Sequence, residues 1–323
     1  MTTGLPLRVL AMGRYEPPEV ETADDLAPRL GRSAHWIRSR TGVAERRISR
    51  IDVAEMAAIA ARDALGDGPP PDLVINCGLS PAQLIPDTSA FVSRAMGWSG
   101  IPGFSVHATC LGFLVGLHTA AAFLHAGAYR RILLVAAERG TQCRDLDDPE
   151  SGALIGDGAA AAVVAADPDG TSALLGYALT TLPEGADLAR IRGFGSRHPP
   201  DHPDTRPAHH RFQMNGPRIY RLARKAVGPV IERALHEAGV TRDDITLVVP
   251  HQASGPALAA LPRLGFSADR VVNVVARFGN CISASIPMAL SIAESEGRLK
   301  RGQLVLLVGT GAGLSVGAAV LRW

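Results

Sequence analysis

The chain has 323 residues, 46% of them hydrophobic, so it can bury a large core as one large domain or as two merged ones. Its net charge of +2 excludes a general affinity for nucleic acid, and no apolar run is long enough to span a membrane. The four cysteines lie far apart without CxxC spacing, which argues against a disulfide framework or a zinc site: Cys77, Cys110, Cys143 and Cys281.

The N-terminal segment MTTGLPLRVLAMGRY lacks the basic start, apolar run and small-residue cleavage site of a signal peptide. Together with the scattered cysteines, this predicts a protein of a reducing, cytoplasmic setting.

Strand patterns alternate with helical patterns along the chain, which is typical of a layered α/β protein. In the first half the sequence predicts a helix in VAEMAAIAARDAL, a buried strand in PDLVINCGL, and a helix that ends near Gly127. Strands in RILLVAAE and GDGAAAAVVAA follow.

A proline-rich segment at about 184–212 breaks this pattern and is interpreted as a long excursion or lid. Beyond it the predicted elements are a long helix, a strand, a strand with a turn, a helix and a closing hairpin: RIYRLARKAVGPVIERALHEAG, DITLVVPHQ, RVVNVVARFGNC, SASIPMALSIAESEG and QLVLLVGTGAGLSVGAAVLRW. Both halves run in a similar order, which indicates a structural duplication.

Cys110 follows the β-favouring run FSVHAT and precedes an apolar helical pattern. A thiol in the first turn of a helix meets the positive end of the helix dipole and unpaired amides, and both favour the thiolate. This position predicts a nucleophile, with a buried, inert cysteine as the alternative. Cys77 and Cys281 are predicted to lie in the core, and Cys143 in a polar loop.

His251 and Asn280 are the partners that the sequence offers to Cys110. His251 follows the apolar strand TLVVP, where α/β folds present reacting groups at a sheet edge. Asn280 follows Gly279 in RFGNCISAS, just before a helix, where a structural capping role is the alternative.

The order ATCLGF, VVPHQA, RFGNCISASIPMAL and GTGAGLSVGAAVLRW resembles the β-ketoacyl-acyl-carrier-protein synthase III-like family of the thiolase superfamily. The resemblance runs nearly end to end, including HWIRSRTGVAERRI and IGDGAAAAVV. It implies a thiolase-like five-layer αβαβα fold from two duplicated halves, and a homodimer. Residues 1–166 would carry the nucleophile, and residues 167–323 the histidine and the asparagine.

The resemblance also implies a reaction. Cys110 would be acylated by a thioester, and His251 and Asn280 would bind the malonyl thioester carbonyl during decarboxylative condensation to a β-ketoacyl product in fatty-acid or polyketide metabolism. The backbone N–H groups of Cys110 and Ala312 would form the oxyanion hole. The steps require no metal and no tightly bound cofactor, because coenzyme A or phosphopantetheine thioesters are the substrates. An acyl carrier protein is the implied partner.

The donor entrance is predicted from the same resemblance, supported by the basic, aromatic segment HWIRSRTGVAERRISR. Ile85, in a loop like the family's dimer-interface loop, stands where relatives often have a gating aromatic side chain, and so leaves room for a longer or branched acyl group. The candidate donor-binding residues are Trp36, Arg40, Thr41, Tyr220, Ala253 and Ser254.

The chain departs from the family's pattern at this entrance. Glu150 and Ser151 precede Gly152, where relatives have an arginine before the glycine, and Ser254 and Pro256 replace an asparagine and a basic residue. We therefore expect poor use of acyl-coenzyme A and preference for a carrier protein or a pantetheine-like thioester. The alternative is compensation by arginines of the basic segment: Arg38, Arg46, Arg47 or Arg50.

Two other functions remain open. An acyltransferase would move the acyl group from Cys110 to an alcohol or amine, with His251 as general base, although Asn280 favours condensation because an acceptor hydroxyl has no enolate to stabilise. A non-catalytic subunit of a heterodimeric synthase is disfavoured by the intact Cys-His-Asn set. A metal site is disfavoured because proline breaks the segment that holds the clustered histidines, His198, His202, His209 and His210.

Overall fold

A computed structural model describes residues 4–323, which form two five-stranded sheets and two two-stranded ones. The strands are β1 Leu5–Pro6, β2 Arg8–Tyr15, β3 Glu19–Thr22, β4 Glu45–Ile48, β5 Leu73–Asn76, β6 Gly103–Ser105, β7 Arg131–Glu138, β8 Gly158–Ala165, β9 Ala173–Thr181, β10 Ala189–Arg190, β11 Gln213–Met214, β12 Leu247–Pro250, β13 Leu304–Gly311 and β14 Ser315–Arg322. The first large sheet has the order β2-β8-β7-β5-β6, and the second has the order β1-β9-β14-β13-β12.

Helices cover both sheets and fill the space between them. They are α1 Ala23–Leu30, α2 Ala34–Thr41, α3 Val53–Leu65, α4 Thr88–Ala95, α5 Gly112–His125, α6 Pro149–Gly152, α7 Gly216–Ala238, α8 Gly255–Leu258, α9 Val275–Phe278 and α10 Ser285–Ser295. Helices α3 and α4 pack on the first sheet and α7 on the second, whereas α5 and α10 contact strands of both. The layers therefore run helix, sheet, helix, sheet, helix, as expected.

The two halves repeat one arrangement. In each, a central helix leads to an eight-residue strand that pairs antiparallel with the next strand: α5, β7 and β8 in the first half, α10, β13 and β14 in the second. A short strand pairs parallel with that central strand in both halves, β5 with β7 and β12 with β13. The predicted structural duplication is thus visible as a repeated topology.

The sequence predicted most long elements correctly. The helix of VAEMAAIAARDAL occupies Val53–Leu65, the long helix occupies Gly216–Ala238, and the closing hairpin is β13 with β14. The excursion between β9 and α7 contains only the short strands β10 and β11 and 3-10 turns. No helix within residues 4–323 is both long and apolar enough to cross a bilayer.

The strand predicted in RVVNVVARFGNC is wrong. Only an isolated bridge joins Val271 to Val248, and a short helix, Val275–Phe278, follows. Side-chain oxygens occupy the backbone donors that a strand would use, since Gln252 Oε1 accepts from Val274 N at 2.9 Å. An amide side chain from another segment thus competes with strand pairing for this backbone donor, which an apolar sequence pattern does not reveal.

Candidate active site

Cys110 lies in the 3-10 turn Thr109–Leu111, immediately before the central helix α5. Thr109 has a φ of 50°, a conformation that β-branched residues rarely adopt. Its hydroxyl donates to the carbonyl of Ala312, at 3.3 Å, in the closing hairpin. A Cβ on Gly311 would lie 2.6 Å from Thr109 Oγ1, so a glycine is needed for the hairpin to approach this turn.

The environment of the Cys110 thiol corrects the prediction of a stabilised thiolate. Burial, and next the charge of Glu138, raise the pKa of Cys110 to about 12, so the resting side chain is a thiol at neutral pH. Backbone N–H groups of Ala312 and Cys110 hydrogen-bond to the sulfur and act in the opposite direction. These are the two amides that the resemblance assigns to the oxyanion hole.

His251 directly follows β12, the edge strand of the second sheet. A Cβ on Gly309 would lie 2.7 Å from His251 Cβ and 3.0 Å from Leu111 Cδ2, so this glycine lets the histidine and the Cys110 turn pack on one strand. The ring is 5% exposed, and burial lowers the pKa of His251 to about 4. Its Nδ1 has no hydrogen-bond partner among the described residues. The site therefore holds a neutral imidazole with unused hydrogen-bonding capacity.

Asn280 contacts the segment that follows His251. Its Nδ2 donates to the carbonyl of Ala253 at 3.4 Å, two residues after His251, and its Oδ1 accepts from Ile282 N at 2.8 Å. The backbone N–H of Asn280 donates to the carbonyl of Leu154 at 2.8 Å. The carboxamide is thus fixed beside the histidine strand, and its Nδ2 has a second hydrogen to donate.

The other predicted cysteine positions are confirmed for the core. Cys77 and Cys281 are each 1% exposed. Cys143 ends the 3-10 turn Gly140–Cys143 and is half-buried. In the described part of the chain no group of three or more His, Cys, Asp and Glu side chains is arranged to hold a metal ion.

The entrance residues Trp36 and Arg40 lie on α2, whose C-terminal end packs against the segment after His251. A Cβ on Gly255 would lie 2.7 Å from Gly42 Cα. The guanidinium of Arg40 donates to Glu150 at 2.6 Å, and that of Arg32 lies 5.5 Å from the centre of the Trp36 ring. Both predicted donor-binding side chains therefore already have partners within the chain.

The arginines offered as compensation also have acidic partners. Arg38 and Arg50 are ion-paired at the surface, Arg47 is ion-paired and half-buried, and Arg46 is fully buried, beyond the reach of a ligand. The pairs are Arg38 with Asp24 at 2.9 Å, Arg46 with Glu21 at 4.0 Å, Arg47 with Glu45 at 3.8 Å and Arg50 with Glu19 at 2.7 Å.

The remaining residues predicted to bind the acyl donor or to line the acyl pocket differ widely in exposure. Thr41 is 2% exposed and its hydroxyl donates to the carbonyl of Ile37 at 2.7 Å, so this side chain is committed to its own helix. Ser254 caps α8, and its neighbour Ala253 is half-buried. Tyr220 on α7 is 42% exposed, and Ile85 is 78% exposed in the loop before α4.

The sequence analysis missed Glu138 altogether and missed the partner of Glu150. Glu138 ends the buried strand β7 and is 0% exposed, and a charged residue closing an apolar strand was the available signal. The pairing of Glu150 with Arg40 joins positions 110 residues apart and had no local signal.

The five layers, with a half-buried cysteine before a central helix and a histidine and an asparagine on neighbouring segments, define a thiolase-fold protein. The family described as 3-Oxoacyl-[acyl-carrier-protein (ACP)] synthase III matches residues 104–183, and its C-terminal family matches residues 235–323. The chain belongs to the β-ketoacyl-acyl-carrier-protein synthase III family.

Relatives of known name cover nearly the whole chain. The β-ketoacyl-[acyl-carrier-protein] synthase III of Desulfitobacterium hafniense is 36% identical, covering 98% of this chain and 97% of the relative. The protein of the same name from Solibacter usitatus is 34% identical and covers 98% of both. The crystal structure of 3-oxoacyl-[acyl-carrier-protein] synthase III from Aquifex aeolicus matches with a TM-score of 0.90 and 31% identity, over 98% of this chain and all of that one. The predicted family and fold are confirmed.

Proposed function

We propose that this protein is a ketosynthase III-like condensing enzyme, which joins an acyl group held on Cys110 to a malonyl thioester and releases carbon dioxide. The observation that carries the proposal is that hydrogen-bond donors of three segments meet around the Cys110 turn. The backbone N–H groups of Ala312 and Cys110 lower the pKa of the thiol, the neutral His251 packs with Leu111 on Gly309, and Asn280 Nδ2 donates to Ala253, two residues after His251.

In the first step Cys110 takes the acyl group from a thioester. The Sγ–carbon bond forms, the carbon–sulfur bond of the donor breaks, and the proton of the Cys110 thiol ends on the departing thiol. Negative charge develops on the acyl oxygen, where amides already fixed by the fold stabilise it without reorganisation. The glycines of the closing hairpin leave these amides accessible.

In the second step the malonyl thioester loses carbon dioxide as its carbon–carboxylate bond breaks. The electrons remain as an enolate, whose oxygen is stabilised by hydrogen bonds from His251 and Asn280. The enolate carbon attacks the acyl carbonyl, the bond to Cys110 breaks, and the released thiolate takes up a proton from water.

The environment of His251 favours condensation over acyl transfer to an alcohol or amine. A pKa of about 4 leaves the imidazole neutral and able to donate a hydrogen bond at neutral pH. The same low pKa makes it a weak general base, since an efficient base has a pKa near the working pH. An enolate needs a donor, whereas an acceptor hydroxyl needs a base.

The arrangement of the chain around this reaction is also proposed. Residues 1–166 would supply the nucleophile and residues 167–323 the histidine and the asparagine, in a cytoplasmic homodimer whose partner is an acyl carrier protein. Ile85, exposed in the loop before α4, would face the acyl pocket of the neighbouring subunit.

The priming donor is proposed to be a carrier-protein or pantetheine-like thioester in preference to coenzyme A. Coenzyme A would bring the phosphates of its nucleotide to an entrance where Glu150 already neutralises Arg40 and Arg32 covers Trp36. A carrier arm presents only one phosphodiester and no adenine, so it depends less on both groups.

The test is incubation with a panel of acyl thioesters, followed by intact-mass measurement and peptide mapping. One acyl group should be found, on Cys110, and it should disappear in Cys110→Ser but not in the control Cys143→Ser, which changes a half-buried thiol elsewhere. An adduct on Cys77, Cys143 or Cys281 in its place would refute the assignment.

A further inference from the structure

A buried carboxylate without a role in the proposed reaction lies beside Cys110. Glu138 closes β7, is 0% exposed, and accepts hydrogen bonds from Leu79 N at 2.7 Å, Ser80 N at 3.1 Å and Ser80 Oγ at 2.6 Å. A fourth bond comes from the hydroxyl of Ser283. None of the ion pairs within residues 4–323 includes Glu138. Burial raises the pKa of Glu138, and neutral donors alone hold its carboxylate.

The fourth donor, Ser283, belongs to the turn that begins two residues after Asn280. Ser283 lies in the 3-10 turn Ile282–Ala284, and a Cβ on Gly112 would lie 3.5 Å from its Cβ. Ile282 has a φ of 49°, which a β-branched residue adopts only when its surroundings hold it there. The hydrogen bonds on either side are Ile282 N to Asn280 Oδ1 and Ser283 Oγ to Glu138.

The duplication of the fold relates the contact between Glu138 and Ser283 to the turn of Cys110. Thr109 and Ile282 are the first residues of equivalent 3-10 turns before the two central helices, with φ values of 50° and 49°. Counting onward, Ser283 is the counterpart of Cys110.

The strand ends are equivalent as well. Glu138 is the last of eight residues in β7, as Gly311 is in β13. In the C-terminal half the glycine at this position lets the strand pack directly on Thr109, in the turn of Cys110. In the N-terminal half the equivalent position carries a carboxylate, which accepts a hydrogen bond from Ser283, the counterpart of Cys110.

We propose that Glu138 is a positioning residue for the condensation step: through the Ser283 hydroxyl it holds the turn Ile282–Ala284, and with it the carboxamide of Asn280. The inference rests on the proposed function, because Asn280 acts in decarboxylation there. Loss of the Ser283 contact frees a strained turn whose backbone N–H orients Asn280 Oδ1.

The charge of Glu138 provides an independent readout. Two buried carboxylates face this region: those of Glu138 and Asp157 both raise the pKa of Cys143 and Cys281, but only that of Glu138 acts on Cys110. His251, the other titratable group there, is neutral. Removing the charge while keeping the shape should therefore increase the thiolate fraction of Cys110.

The experiment compares Glu138→Gln, Ser283→Ala and the control Ser285→Ala. Ser285 lies two residues after Ser283, and its buried hydroxyl has no hydrogen-bond partner among the described residues. Two quantities are measured: the ratio of carbon dioxide release to Cys110 acylation, and the rate of Cys110 alkylation by iodoacetamide between about pH 7 and 9, followed by peptide mapping.

We expect Ser283→Ala to lower the ratio about tenfold with an unchanged alkylation profile, and Ser285→Ala to change neither. Glu138→Gln should speed alkylation wherever Glu138 is ionised in the wild-type protein, because loss of this charge lowers the pKa of Cys110 and gives more thiolate. A ratio in Ser283→Ala equal to that of Ser285→Ala would overturn the proposal.

If Glu138→Gln does not fold, the Ser283→Ala ratio decides alone. If wild-type protein shows neither acylation nor carbon dioxide release with any thioester, the proposed function fails, and the positioning role in condensation is refuted with it. The alkylation profile then still reports whether Glu138 acts on Cys110, which separates the two failures.

Discussion

The turn around Cys110 and the entrance around Arg40 differ in how their charged groups are partnered: neutral hydrogen-bond donors surround the first, and ion pairs form at the second. Around Cys110 burial sets the chemistry: Glu138 is held by neutral donors only, and His251 keeps a ring nitrogen unused among the described residues. At the entrance exposed arginines are paired with carboxylates, as in Arg40 with Glu150, whose side chains are 48% and 37% exposed.

This difference predicts how strongly substitutions in each region act. Removing a partner in the buried centre leaves an unsatisfied group, which costs about 1–3 kcal/mol and disturbs the reacting atoms. Exchanging an exposed pair changes stability by about 0–1 kcal/mol, so the entrance can change its donor preference at little cost to the fold. Substitutions in the two regions should therefore have effects of very different size.

The largest effect is expected from Cys110→Ala. Without the sulfur neither acylation nor condensation can proceed, and turnover should fall by at least about a thousandfold. The measurement is β-ketoacyl thioester formation by mass spectrometry. Cys143→Ala is the control and should retain wild-type turnover. A comparable loss in both variants would contradict the assignment of Cys110 as the nucleophile.

Asn280→Ala should separate the two half-reactions. Removal of one donor to the enolate oxygen should slow carbon dioxide release by about 10²–10³-fold, while acylation of Cys110 stays within about threefold of wild type. Asn273→Ala removes an exposed amide seven positions earlier and should change neither rate. Equal losses in both half-reactions of Asn280→Ala would contradict the assigned role.

Glu150→Gln should act on donor choice alone. Releasing Arg40 from its ion pair should raise kcat/KM for an acyl-coenzyme A by up to about fivefold, the range that exposed pairs allow, and leave the pantetheine thioester unchanged. Glu45→Gln is the matched control, since Glu45 is 35% exposed and pairs with Arg47.

Wild-type enzyme in the same assay should use the carrier-protein or pantetheine thioester better than coenzyme A. A clear preference for coenzyme A over pantetheine, with no rise in kcat/KM for acyl-coenzyme A in Glu150→Gln, would show that the protein binds the nucleotide although the arginines are ion-paired.

The smallest effect is expected from pH. Because burial lowers the pKa of His251 to about 4 from its ordinary 6.5, the imidazole stays neutral as the pH falls through 6.5. The decarboxylation rate should therefore show no inflection there between about pH 5.5 and 8. An inflection near 6.5 that disappears in His251→Asn would show that the ring titrates normally, and that it can act as a base.

The sequence predicted the places of the candidate residues on their elements better than the environment of their side chains. Cys110, His251 and Asn280 each follow or precede a strongly patterned element, so their places could be inferred from local signals. The expected thiolate of Cys110 was wrong because the thiol lies in an enclosed turn near Glu138, which only tertiary packing brings there.

Long-range contacts account for the other differences. Whether an arginine is free for a ligand depends on a carboxylate distant in sequence, as Arg40 and Glu150 show. The strand expected at Val271 was lost because Gln252, on another segment, bonds to the backbone N–H of Val274. Periodicity reports which face of an element is apolar, and not which side chain will take a backbone hydrogen bond.

The central claim, decarboxylative condensation on Cys110, is tested most directly by a single turnover of the acylated enzyme. Protein carrying one acyl group on Cys110 is mixed with a malonyl thioester, and the released carbon dioxide and the organic product are measured together. We predict one β-ketoacyl thioester and one carbon dioxide for each acyl group lost from the protein. Loss of the acyl group as a free acid, an ester or an amide, without carbon dioxide, would contradict the account.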